Sequence, residues 1–206
     1  MKLRKRLIFL IPALILAFFA GACGSGSKPF LKVQYQLPSP SSTLEGKQVS
    51  LTVSDMRSKE TLVTETARKS LRDFKGTFSL VVLREDGSGN LRGAYDLVSL
   101  FSEVFQQRLK NEGIQATTVA DSTLPELKIE ITEFQIDFAD RKWIVGMNYK
   151  ASLLDNGILL SKESVSGQAE RLKVMGKKGA EKILSELLTD VVNKLNLVGL
   201  FQQARL

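Results

Sequence analysis

Apolar and polar residues alternate with period two along several stretches of the chain, which is the pattern of half-buried β-strands. Two such stretches cover residues 31–37 and 49–53, and a short apolar run predicts a buried strand over 78–83. Residues 143–153 and 158–169 predict two long antiparallel strands, because a strong Asp-Asn-Gly hairpin signal separates them.

The stretch from 127 to 138 has an unusual pattern of apolar residues. Its first half is apolar at odd positions and its second half at even positions. A regular strand cannot keep both sets on one face, so we predict a β-bulge near Thr132 and Glu133.

Apolar residues recur at steps of three and four over 94–112 and 180–195, which predicts two amphipathic helices. Gly113 is expected to end the first of them, and a short strand over 114–119 should follow. Residues 57–76 are polar and predict a loop with a short helix near 66–74. The elements together predict an α+β fold, a two-layer sandwich with a mainly antiparallel sheet and both helices on one face.

Composition narrows the chemistry. The 206 residues include one cysteine and no histidine. Catalytic triads, imidazole proton shuttles and His-containing metal sites are therefore excluded, as is an internal disulfide. We expect no cofactor, no metal site, no catalytic residue and no enzymatic activity.

The N-terminus has the pattern of a bacterial export signal. Four basic residues in the first six precede an uncharged, mostly apolar run over 7–20, and small residues lead into Cys23. The run is too short for a spanning helix and contains Pro12. Because the signal supplies more than half of the formal charge of +7, the rest of the chain gives no reason to expect nucleic-acid binding.

The position of Cys23 resembles the lipobox of bacterial lipoproteins. That resemblance implies cleavage after residue 22, lipidation of Cys23 including a palmitate-type acyl chain, and membrane attachment through the lipid. Residues 1–22 are then the signal peptide, 23–30 a lipidated tether and 31–206 a single α+β domain. Gly24, in place of Asp, implies sorting to the outer membrane, facing the periplasm.

The order of elements also resembles a family. The lipobox, a strand running into Asp55-Met56-Arg57, a helix ending at Gly113 and the long hairpin are similar to the YajG-type lipoproteins. They resemble, more loosely, the auxiliary lipoproteins of ABC-type lipid transport systems. Residues 58–90 depart from that layout. The resemblance implies a non-enzymatic adaptor that binds another envelope protein, or alternatively a lipid-handling component that binds phospholipid.

Two candidate sites follow. Asp55 and Arg57 are two positions apart, so on an extended strand they point the same way and either pair with each other or meet a charged partner. The lipid-handling alternative needs an apolar groove, for which the candidates are Phe101, Phe105, Trp143 and Leu187; ordinary core packing is the competing interpretation.

Two further segments bear on function. A basic cluster precedes the last helix and is either solvated or turned toward anionic headgroups; it contains Arg171, Lys173, Lys177 and Lys178. The glycine-rich segment 87–93 approaches a dinucleotide-binding fingerprint but has the wrong spacing, so we interpret it as a loop before a helix.

Overall fold

A computed structural model describes residues 29–119, 121–173 and 176–206. The export signal and Cys23 lie outside the described residues. The strands form a five-stranded sheet, in the order β5-β2-β6-β7-β8, and a three-stranded sheet, in the order β1-β3-β4. The strands are β1 (Phe30–Gln36), β2 (Gln48–Asp55), β3 (Thr77–Leu83), β4 (Gly89–Tyr95), β5 (Gln115–Thr117), β6 (Glu126–Ala139), β7 (Lys142–Asp155) and β8 (Ile158–Leu172). The helices are α1 (Glu65–Arg68), α2 (Leu97–Asn111), α3 (Lys178–Lys194) and α4 (Leu197–Ala204).

The predicted α+β class with mainly antiparallel strands and two long amphipathic helices is confirmed. The long β6-β7-β8 meander is antiparallel, and its second turn places Asn156 and Gly157 at positive φ, as the hairpin signal requires. The strands divide between two sheets, and β2 pairs in parallel with both β5 and β6. Parallel pairing joins strands distant in sequence, so alternation within one strand could not reveal it.

The predicted bulge is present. The register of β6 against β7 shifts between Ile131 and Glu133, which leaves Thr132 as the extra residue. Ile131 before the bulge and Phe134 after it are both buried, so one strand keeps its apolar side chains on one face despite the change of parity.

The core lies between the helices and the inner face of the larger sheet. Phe101 and Phe105 of α2 make edge-to-face contacts with Tyr149 of β7, with ring centroids 6.4 and 5.4 Å apart. The Tyr149 hydroxyl donates to the carbonyl of Val191 in α3, at 2.8 Å. Both long helices therefore pack on the same face of the sheet, as predicted.

The other face of the larger sheet is polar and open to solvent. Its positions alternate with the core positions, and fully exposed examples are Thr52, Glu133, Lys150, Ser164 and Ser166. The two long helices pack on the opposite side of the sheet, and we call this polar face the open sheet face.

The free edge of β1 is closed by side chains of α3. Backbone N–H groups of Lys32, Gln34 and Gln36 donate to Glu181 Oε1, Ser185 Oγ and Thr189 Oγ1, at 3.0, 2.9 and 3.1 Å. The Gln36 carbonyl accepts from Asn193 Nδ2 at 3.0 Å. Residues four apart on a helix share one face, so this polar stripe satisfies the strand edge that would otherwise template association.

Two segments differ from the prediction. Residues 89–95 form β4 where a loop leading into a helix was expected, because they pair antiparallel with β3 and Gly93 has a φ of 155° at a register shift. This hairpin excludes the βαβ arrangement of a dinucleotide site. Residues 197–204 form the helix α4, capped by Asn196, whose side chain accepts from the Gly199 N–H at 2.9 Å.

Candidate functional site

Asp55 and Arg57 pair with each other at the end of β2. Arg57 Nε donates to Asp55 Oδ1 at 2.8 Å and Nη2 to Oδ2 at 2.7 Å, and the Arg57 backbone N–H also donates to Oδ1, at 3.1 Å. A bidentate contact of this kind matches the fork of the guanidinium to the carboxylate. Of the two interpretations of their spacing, mutual pairing and contact with a charged partner, the structure shows mutual pairing.

Arg57 also closes a gap in the sheet. β2 accompanies the first half of β6, and a short segment around Val63 accompanies the second half by a parallel bridge to Ile136. Between them, Arg57 Nη1 donates to the carbonyl of Phe134 at 3.3 Å and Nη2 to that of Glu60 at 3.4 Å. The guanidinium thus supplies donors where no strand backbone is present.

The electrostatics agree with a structural role. The hydrogen bond from Arg57 holds the pKa of the Asp55 carboxyl below its usual range. The Arg57 side chain is only 7% exposed and that of Asp55 is 33% exposed. A cavity of about 190 Å³ adjoins Arg57 and is lined also by Lys59, Thr132, Glu133 and Gln135. Because the Asp55 carboxylate already balances its charge, Arg57 is poorly suited to bind a charged partner.

The four residues expected to line an apolar groove lie in the core. Phe101, Phe105 and Trp143 have no exposed surface, and Leu187 is 4% exposed. None of them lines any of the five best-formed cavities in the described ranges. Their aromatic rings and aliphatic side chains contribute packing energy between the helices and the sheet.

The basic cluster before α3 adjoins the beginning of the folded domain. Lys177 Nζ donates to the carbonyl of Phe30, the first residue of β1, at 2.7 Å. Lys173 Nζ donates to Ser70 Oγ at 2.9 Å and lies 4.5 Å from the centre of the Phe138 ring. Arg171 is held by Glu186 through two contacts of 2.9 and 2.6 Å. Lys178 is exposed in the first turn of α3.

Searches of sequence families and of curated proteins return no match. Among solved structures, a protein from Xanthomonas campestris described under the family model DUF330 aligns with a TM-score of 0.51 and 13% identity. The alignment covers 84% of this chain and 99% of that one. The two proteins share a fold.

Two lipoprotein structures align less well. A minor lipoprotein of Acinetobacter baumannii aligns with a TM-score of 0.35 and 13% identity, over 77% of this chain and 91% of that one. Lipoprotein GNA1162 of Neisseria meningitidis aligns with a TM-score of 0.30 and 16% identity, over 72% and 96%. These two alignments add nothing to the fold assignment.

One polar cluster was not found by sequence reasoning. Arg108 and Glu112, one turn apart in α2, form a buried ion pair, with side chains 9% and 8% exposed. The hydroxyl of the nearby Tyr35 donates to Asn193 Oδ1 at 2.8 Å, and burial raises the pKa values of Tyr35 and Tyr149. The four-residue spacing of Arg108 and Glu112 was the available signal, but it is equally typical of exposed helix pairs.

Two features, a cluster of metal ligands and a membrane-spanning helix, were looked for among the described residues. Within the described residues, no three or more Asp, Glu or Cys side chains come together as metal ligands. In the same ranges, no helix has the length and apolar character of a membrane span.

Proposed function

We propose that this chain is an exported lipoprotein, anchored by a lipid at Cys23, whose domain is a non-enzymatic binding module for another envelope protein. Residues 1–22 are the signal peptide, 23–30 the tether and 31–206 the domain. Gly24 after the lipidated cysteine directs the protein to the outer membrane, facing the periplasm. The partner contacts the open sheet face.

The open sheet face is the observation that carries this proposal. It extends across three long strands, and lysines and carboxylates intermix on it, as in Lys142–Glu170 at 2.6 Å and Lys128–Glu130 at 2.9 Å. A surface on which charged and polar side chains intermix fits a protein partner better than an acyl chain.

Support for non-enzymatic work comes from the site residues. Asp55 and Arg57 were the strongest candidates for a functional pair. Their side chains instead hydrogen-bond to each other and to the Phe134 carbonyl at the bulge. The shared fold with the DUF330 protein supports the architecture alone. The lipid-handling alternative loses its proposed groove, since the four residues expected to line it lie in the core.

Site-directed crosslinking tests the open sheet face. A photoreactive amino acid is placed in full-length protein at Thr52, Ser164 or Ser166, and at Lys182 or Asp190 on the solvent side of α3 as matched exposed controls. We expect all three sheet positions to crosslink one and the same envelope protein in cells, and the helix positions not to. Crosslinks confined to the helix positions, or none at any position, would refute the proposal.

Mass spectrometry tests the anchor separately. The N-terminal peptide of the mature protein should begin at Cys23 and carry acyl chains, and Cys23→Ser should abolish the modification. An unmodified N-terminus upstream of Cys23 in the wild type would contradict the lipoprotein assignment without bearing on the open sheet face.

A further inference from the structure

The two ends of the domain differ in charge. Three segments meet around the start of β1: the region of α1, the β6–β7 turn and the β8–α3 connection. Lys177 contacts the Phe30 carbonyl, Lys173 contacts Ser70, and the Lys173 N–H donates to the Arg141 carbonyl at 2.8 Å. We call this end of the molecule, formed by residues 64–76, 139–142, 170–173 and 176–178, the tether end.

The tether end is basic. Its three segments contain ten basic and four acidic residues. Seven of the basic side chains are exposed and belong to no ion pair between described residues, and they define the basic patch: Arg68, Lys69, Arg72, Lys75, Arg141, Lys173 and Lys178. Hydrogen bonds to hydroxyl or carbonyl oxygens, such as Lys173 to Ser70, leave the positive charge unmatched.

The opposite end is acidic. It contains the β3–β4 turn, the β7–β8 turn with Asp155, and the loops at 38–47, 110–119 and 121–125, with six acidic and three basic residues. Of its carboxylates, those of Glu45, Glu85, Asp86, Asp121 and Asp155 are exposed. The domain therefore carries a charge gradient along its strands, from positive at the start of β1 to negative at its end.

The lipid anchor lies next to the positive end in sequence. Cys23 precedes Phe30 by seven residues, which span at most about 25 Å when fully extended. A chain of that length keeps the tether end close to the bilayer, and a contact within the reach of a short linker acts as if at millimolar concentration.

We propose that the basic patch binds the anionic headgroups of the bilayer to which the lipid attaches the protein. The anchor in this inference rests on the proposed function; the headgroup contact itself rests on the patch. Each basic residue near an anionic surface strengthens binding about five-fold, and the attraction falls off within about 8 Å at physiological salt. The patch thereby orients the domain, with its acidic end directed away from the membrane.

Vesicle co-sedimentation of the unlipidated chain from residue 24 onward tests the contact without the anchor. This form folds by itself, because every buried apolar residue of the described core lies between Leu31 and Phe201. We expect binding to vesicles containing one third phosphatidylglycerol, no binding to pure phosphatidylcholine, and release by high sodium chloride.

A matched pair of variants locates the contact. Lys69→Glu, Arg72→Glu and Lys178→Glu together reverse three charges of the basic patch, whereas Lys47→Glu, Arg84→Glu and Lys110→Glu make the same charge change at the acidic end. All six side chains are exposed. We expect the first triple variant to lose vesicle binding at least about ten-fold, and the second to lose less than about two-fold.

Equal losses in the two triple variants would show that net charge alone governs binding and would overturn the proposal, as would absence of binding in the wild type. Circular dichroism melts confirm that both variants are folded. Failure of this test with an acylated Cys23 leaves the proposed function intact, whereas vesicle binding with an unmodified Cys23 supports the patch and refutes the anchor.

Discussion

Arg57 and Arg108 each pair with a carboxylate close in sequence, but they lie in opposite surroundings. Arg57 lies at the edge of the bulge, where it has one partly exposed carboxylate and two backbone carbonyls as acceptors. Arg108, a residue of α2, is buried near Tyr35 in the core and has Glu112 as its charged partner. The same pair of charges therefore completes a backbone ladder in one place and fills an interior polar cluster in the other.

The two ion pairs contribute to the stability of the fold in different ways. A buried ion pair adds little net stability over a well-packed apolar pair, but either member alone is costly because its charge is left uncompensated. An arginine that satisfies backbone carbonyls replaces missing sheet hydrogen bonds, so its loss affects the strand connection more than the charge balance.

The largest expected effect is at the interior pair. Arg108→Ala leaves Glu112 buried without its partner and should lower the free energy of unfolding by about 3–5 kcal/mol, measured by urea titration. The matched control replaces both residues with methionine and should recover most of the loss. If the double variant is as unstable as Arg108→Ala, the charges themselves stabilise the fold, and an apolar pair cannot replace the interior ion pair.

Arg57→Ala should be the next most destabilising change, by about 2 kcal/mol, because it removes the donors to Asp55, Phe134 and Glu60 together. Hydrogen exchange should increase around the bulge and in residues 60–64 before it increases elsewhere. Arg57→Lys keeps the charge but not the planar fork, so it should recover only part of the loss. Full recovery by lysine would mean that charge, not geometry, is what the bulge needs.

The interior cluster should also produce an alkaline limit to stability. Burial raises the pKa values of Tyr35 and Tyr149 above the ordinary value of 10.0. Above pH 10 the unfolded chain releases protons that the folded chain retains, so stability is full below that pH and falls as pH rises further. Tyr149→Phe should cost about 1 kcal/mol near neutral pH and flatten this decline. A rise of native phenolate absorbance near pH 10 that corresponds to all three tyrosines of the chain would show that the hydroxyls of Tyr35 and Tyr149 are accessible.

The smallest effect is expected at Asp55. Its pKa is lowered in the folded state by the hydrogen bond from Arg57, so its contribution is present above the unfolded value of 3.8 and is lost as pH falls through the folded value. Asp55→Asn should cost less than about 1 kcal/mol at neutral pH and make stability less sensitive to acid. An unchanged acid-unfolding curve would assign the acid sensitivity to other carboxylates.

Much of the fold was predictable because local patterns encode it. The parity change between Ile131 and Phe134 located the bulge to one residue, since only an inserted residue can reconcile two parities on one face. The Asp155-Asn156-Gly157 signal located the turn between β7 and β8, although the register of the two strands shifts again between Leu153 and Leu154.

The remainder depends on contacts between distant segments. β4 was missed because Gly89 and Gly93 suggest a loop, and only pairing with β3 makes this polar segment a strand. The apolar candidates Phe101 and Trp143 could equally have lined a groove or filled a core, since hydrophobicity does not distinguish the two. The spacing of Asp55 and Arg57 predicted that they could pair with each other. It could not predict the hydrogen bonds of Arg57 to the carbonyls of Phe134 and Glu60, because these depend on how distant segments pack.

The closed edge of β1 has a mechanical consequence. A pull on the N-terminus enters the domain at Phe30 and runs along β1, whose ladder to β3 lies on one side and whose bonds to α3 lie on the other. These bonds are crosswise to the strand, so the load is shared among them as shear and does not open them one at a time. The last long helix, about 150 residues away in sequence, thereby becomes the mechanical support of the first strand.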